Sequence, residues 1–152
     1  TANTLTSRQI GEGKQDEVIA TVFKTVGQSL IAVLPILLCC FLFPRLLLSI
    51  YTNDISLADA SIPSLYVIGI TSIAMSFGMP LFEAVSGTGN TAHALLLEFF
   101  VLVGYTTSVW FFASFIGTRV EWVWTSEFTY GATIAITSFL YLKFSSWKKK
   151  KI

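Results

Sequence analysis

From Thr25 to Pro44 the chain carries no charged side chain, and between Leu30 and Phe43 it reads Leu-Ile-Ala-Val-Leu-Pro-Ile-Leu-Leu-Cys-Cys-Phe-Leu-Phe. About 20 such residues in a helix cross a hydrocarbon core of about 30 Å. A run of this kind must be buried in a large core or placed in lipid. Only 12% of the 152 residues are charged, against about 25% in soluble domains. A wetted surface cannot be built from so few charges, so lipid contact must replace them. Three further apolar stretches follow. The sequence therefore predicts an all-α integral membrane protein, a bundle of four transmembrane helices at about 25–49, 61–84, 94–116 and 127–142. Residues 1–24 would hold the end of a preceding helix and a polar loop, and 143–152 a basic tail.

The joints carry local signals. Gly11 and Gly13 punctuate the polar stretch 7–24. Pro35 should kink the first span, which membrane helices tolerate when a neighbour satisfies the freed carbonyl. Pro44-Arg45 marks its far interface, and Tyr51-Thr-Asn-Asp54 breaks the apolar run. Asp54 to Asp59 reads as a capped surface turn, with Pro63 in the first turn of the second span. Ser86-Gly-Thr-Gly-Asn-Thr91 is a compact hairpin loop. Trp122 and Trp124 fall in the loop after the third span, where a headgroup belt places such rings.

If the spans alternate, Arg8, Lys14, Lys24, Lys143 and Lys148 to Lys151 share one side, and Arg45 and Arg119 the other. Basic residues gather on the cytoplasmic side. The N-terminal loop, the Gly-Thr-Gly-Asn loop and the tail are thus expected in the cytoplasm, and the protein in the inner (plasma) membrane. The net charge of +1 gives no field for nucleic acid. Cys39 and Cys40 are adjacent and without a metal-ligand neighbour, so they read as apolar fillers. His93 stands alone as an interfacial residue. No catalytic triad, metal-spaced cluster or phosphate loop is present, so no enzyme and no cofactor is expected.

Acids inside a span are costly, about 2.5–3.5 kcal/mol on insertion scales. Glu83 and Glu98 qualify, with Glu127 at a span edge. Each is either a snorkelling or helix-pairing carboxylate, or a cation site, because a desolvated carboxylate can load and release a cation near neutral pH. Gly69, Ser72, Ser76, Pro80 and Glu83 recur at helical steps, as a packing seam or as the wall of a polar cavity. Glu127, Tyr130, Thr133, Thr137 and Tyr141 form a comparable stripe, able to bind a ligand or a neighbouring helix. An aromatic wall drawn from Phe77, Phe82, Phe99, Phe100 and Trp110 to Phe112 would suit a lipophilic cation.

The order of these features resembles the C-terminal third of a multidrug and toxic compound extrusion (MATE) transporter. Ile10-Gly-Glu-Gly13 is similar to the family's Leu-Gly-Ala-Gly loop, and Ser86 to Thr91, with Gly87, Gly89, Asn90 and Thr91, to its Arg-Gly-Thr-Gly-Asp-Thr loop. The resemblance implies a twelve-helix, two-lobe exporter of lipophilic or cationic small molecules, exchanged for Na⁺ or H⁺. This chain would supply the end of span eight and spans nine to twelve, partnered by the lipid bilayer and by the N-terminal helices it lacks. Ser86 and Asn90 depart from the family's Arg and Asp. The middle of the second span, Thr71-Ser-Ile-Ala-Met-Ser-Phe77, has no acid where some members place one, so the coupling role falls to Glu83 or Glu98, or outside this chain. Two other readings compete: a lipid-linked saccharide flippase of the same superfamily, which would want a basic cavity, and a self-contained four-helix assembly protein.

Overall fold

The computed structural model describes residues 2–116 and 119–149, and among them every regular element is helical. A short helix α1 (Ala2–Gly11) leads through a single 3₁₀ turn into α2 (Val18–Leu42). After a stub, α3 (Pro44–Leu48), come α4 (Ile55–Gly87), α5 (Thr91–Phe111) and α6 (Val120–Phe144). The last residues of α5 run on as a π-helical segment, Phe112–Ile116, and Ser146–Lys149 form a closing 3₁₀ turn.

Three helices are long and apolar enough to cross a membrane: Gln15–Leu42, Ile55–Gly87 and Thr91–Ile116. The fourth expected span lies within α6. That helix has the length, at 25 residues, but not the apolarity, because Glu121, Glu127, Lys143 and a run of Ser and Thr interrupt it. Exposure is inverted relative to a water-soluble fold. Ile31 is 70% exposed, Phe100 69% and Leu42 65%, so large apolar side chains point outward where lipid would meet them.

The helices start and stop for local reasons. Val18, Val22 and Val26 recur at steps of four and are buried, which carries α2 seven residues further back than the apolar run alone indicates. It ends where Phe43 leaves helical geometry (φ −132°, ψ 49°), as a residue before proline tends to. Asp54 caps α4, its carboxylate accepting from the backbone N–H groups of Ser56 (2.8 Å) and Leu57 (3.3 Å). Arg45 forks onto Asp59 at 2.9 and 3.2 Å, tying α3 to the second turn of α4. Since α4 begins at Ile55, Pro63 sits inside the helix and not in its first turn. Likewise Trp122 and Trp124 lie in the opening turns of α6, not in a loop.

Helix α4 is the hub, packing on α6, α2 and α1, while α5 packs mainly on α6. The α4–α6 contact is close because both helices present glycine. A Cβ on Gly78 would stand 2.6 Å from Ile134 Cγ2 and 2.8 Å from the Gly131 carbonyl; one on Gly131 would stand 3.0 Å from Ala74 Cβ. Neither space exists, so the backbones touch. At one end of the bundle Ile10, Val18, Val22, Leu81, Ala84, Val85, Ala94, Leu142 and Trp147 form a single buried cluster. The loop after α1, the α4–α5 hairpin and the root of the tail therefore meet at the same end. Lys150, Lys151 and Ile152 at the end of the tail lie outside the described residues.

Candidate functional site

On the face of α4 away from α6 the packing opens. A cleft of about 580 Å³ lies between α2, α4 and the start of α1, with Thr25, Gln28, Ser72, Ser76, Met79 and Glu83 among its walls. Ser72, Ser76, Met79 and Glu83 follow steps of four, three and four, the spacing of one helix face. From α2, Thr25 and Gln28 are three apart on the facing side.

The hydroxyls lining it are fixed by their own helices. Ser72 donates to the Gly69 carbonyl (2.6 Å), Ser76 to the Ser72 carbonyl (2.8 Å) and Thr25 to the Thr21 carbonyl (3.1 Å). With those protons committed, the lone pairs are what the oxygens offer to anything in the cleft. Pro80, also in the wall, has no N–H and so cannot satisfy the Ser76 carbonyl. Glu83 is half-buried and has neither hydrogen bond nor ion pair among the described residues. The cleft thus presents oxygen acceptors and a carboxylate, with no base among the described residues that line it. Such a surface has the chemistry to accept a cation or a proton.

Glu98 is elsewhere. It lines a separate groove of about 470 Å³ with Phe82, Ser86, Thr91, Ala94 and Leu95, where α4 hands over to α5. The two acids nominated from sequence therefore do not share a site. Tyr130, Thr133 and Thr137 do not line the Glu83 cleft. Thr137 donates to the Thr133 carbonyl at 2.7 Å, and the Tyr130 ring meets Tyr105 of α5 edge-on at 5.6 Å. Sequence reasoning missed Thr25, Gln28 and Ser29 as cleft residues, although polar side chains inside the first apolar span were the available signal. It also missed the Tyr105 hydroxyl donating to Glu127 at 2.6 Å.

The loop residues Gly87 to Thr91 tie helices together. The Gly87 carbonyl accepts from Ser7 Oγ at 3.0 Å, and a Cβ there would lie 2.6 Å from the Asn3 carbonyl oxygen, so α1 can pass only over glycine. Gly89 turns with φ +74°, a region open to glycine. Asn90 donates to the Tyr141 hydroxyl at 2.9 Å, holding the end of α6 against the start of α5, and Thr91 begins that helix. In the loop after α1, Glu12 accepts from Arg8 and Lys14, each at 2.8 Å. Those two bonds, Lys14's first, hold its carboxyl down at about 2.

Apolar faces turned outward and three span-length helices, with a cleft edged by hydroxyls and a carboxylate, define a polytopic membrane protein. The family model for MatE matches residues 1–110, from α1 through nearly all of α5 and including both glycine loops, and the chain belongs to that family. It is 23% identical over 155 residues to a protein of Thermotoga maritima described as "Probable multidrug resistance protein NorM". The match covers 98% of this chain and 32% of that relative, so the chain spans about a third of the relative's length. No solved structure matches.

Proposed function

We propose that this chain forms most of the C-terminal lobe of a cation-coupled antiporter, in which α2, α4, α5 and α6 all span the inner (plasma) membrane. The whole transporter would have twelve spans in two lobes, with the Ile10–Gly13 loop, the Ser86–Thr91 loop and the basic tail in the cytoplasm. It exports lipophilic or cationic small molecules in exchange for Na⁺ or H⁺ and performs no covalent chemistry. Family membership and the relative described as a probable multidrug resistance protein support this reading.

The observation that carries it is Glu83, a half-buried acid lining the Ser72/Ser76 cleft with no basic partner among the described residues. Its charge needs compensation in low dielectric. A coupling ion and a cationic substrate can each supply that, but not together. Mutual exclusion at one carboxylate is the simplest basis for exchange: loading by one ligand biases the alternating-access equilibrium in one direction, and by the other in the opposite. The flippase reading gains nothing here, because a lipid-linked phosphate would want Lys or Arg where the cleft places Glu83.

Everted vesicles containing the full-length transporter test the proposal. Glu83→Gln should reduce cation-driven export about tenfold or more, within the usual span of coupling free energies. Export that stays at the parental level across all pH values and sodium concentrations would remove Glu83 from the coupling role.

A further inference from the structure

A second set of acids and hydroxyls lies on the opposite side of α4, between α5 and α6. Tyr105 of α5 donates its hydroxyl to Glu127 Oε1 of α6 at 2.6 Å, a short bond of the charge-assisted kind. The Tyr130 ring packs edge-on against Tyr105 at 5.6 Å. Glu98 precedes Tyr105 by two helical turns, about 10 Å along the axis at 1.5 Å per residue. Glu127, Tyr105 and Tyr130 thus meet at one interface, each half-buried.

Among the described residues no base answers them. Arg119, near the start of α6, is engaged by Glu121 at 2.6 Å. On its other side α6 meets α4 through Ala74, Met75 and Gly78, which carry no charge, and the π-helical segment Phe112–Ile116 has no titratable group. A carboxylate between apolar helices is costly, and taking up a positive charge relieves that cost. A metal ion would need a cage of several oxygens, and a single phenol hydrogen-bonds Glu127 among the described residues. A proton needs a single oxygen.

We propose that Glu127 is a proton-loading site, positioned by Tyr105 and separate from the Glu83 cleft. Tyr105 is a positioning residue: its hydroxyl orients the carboxylate and passes to it no bond other than the hydrogen bond. Loading forms the Glu127 O–H bond from a proton of bulk water and reverses on release, so no other reactant enters. The proposal does not depend on transport.

Infrared difference spectra of the full-length protein, recorded across a pH titration without substrate, read protonated carboxyl groups directly. One titrating carboxyl band should vanish in Glu127→Gln, move its midpoint by a pH unit or more in Tyr105→Phe, and persist in Glu83→Gln. A band set unchanged by both Glu127→Gln and Tyr105→Phe overturns the proposal. If Glu127→Gln does not fold, Tyr105→Phe decides: an unmoved midpoint means the hydrogen bond is structural only. Loss of export in Glu83→Gln with the Glu127 band intact separates the two sites.

Discussion

The two faces of α4 solve opposite problems. Toward α6, Gly78 and Gly131 let the backbones meet, and a single added carbon has nowhere to go. Toward α2, the same helix lines about 580 Å³ of open cleft with serine hydroxyls and a lone carboxylate. One face is rigid because small residues remove the space; the other is open because small residues leave it. Small side chains at helical spacing therefore do not announce their purpose. What decides is the partner: a glycine opposite closes the gap, whereas Thr25, Gln28 and Ala32 opposite leave it.

The sharpest way to break this comparison is to put equal volume on each face. Gly78→Leu should cost about 3 kcal/mol, because its Cβ alone would stand 2.6 Å from Ile134 Cγ2 and 2.8 Å from the Gly131 carbonyl. Ala32→Leu on the cleft side, where the residue is exposed, should change stability by about 0.5 kcal/mol or less while lowering export by filling the cleft. Thermal unfolding in detergent, read beside vesicle transport, measures both. If the two variants unfold alike, the faces do not differ as described.

Next in size is Gly131→Ala. Its Cβ would meet Ala74 Cβ at 3.0 Å and the Ala74 carbonyl carbon at 3.1 Å, so a loss of about 1–2 kcal/mol is expected. The nearest atom is itself a removable methyl. Ala74→Gly combined with Gly131→Ala should recover part of the loss, and a strictly additive double variant would mean that the two positions do not oppose each other.

Much of this was legible in the sequence, and the limits have physical causes. Apolar run length gave three of the four expected spans, because lipid imposes a length and an apolar surface; α6 has the length without the apolarity. The stripe Gly69, Ser72, Ser76, Pro80 and Glu83 was readable as one helix face, but its two alternatives both hold. Gly69 packs on Leu37 and Phe41 of α2, whereas Ser72 to Glu83 line the cleft. Periodicity names a face and cannot name what stands opposite. The Gly78–Gly131 contact was invisible for that reason, since each glycine is unremarkable within its own helix. So was the separation of Glu83 from Glu98: both flank the same hairpin, yet they project into different grooves. Pro63 misled because proline is favoured in a first turn, while Asp54 had already started the helix nine residues before it.

The smallest expected effect lies outside both faces, on the exposed loop after α1. Glu12, hydrogen-bonded by Lys14 and Arg8, titrates at about 2 against an ordinary value of 4.5. A carboxyl whose folded value is depressed stabilises the fold fully above its unfolded value and progressively less as pH falls through the folded one. The contribution should therefore be complete above about pH 4.5 and fade between there and about pH 2. Because all three side chains are open to solvent, it should also be small and screened by salt. Thermal unfolding of the parent should show a slight acid-dependent decline across that window which Glu12→Gln lacks, and molar salt should erase the difference. The steric clash at Gly78, by contrast, should be indifferent to salt. A Glu12 effect that survives molar salt would mean that the loop is held by packing around Gln9 and Thr21, joined at 2.7 Å, and not by charge.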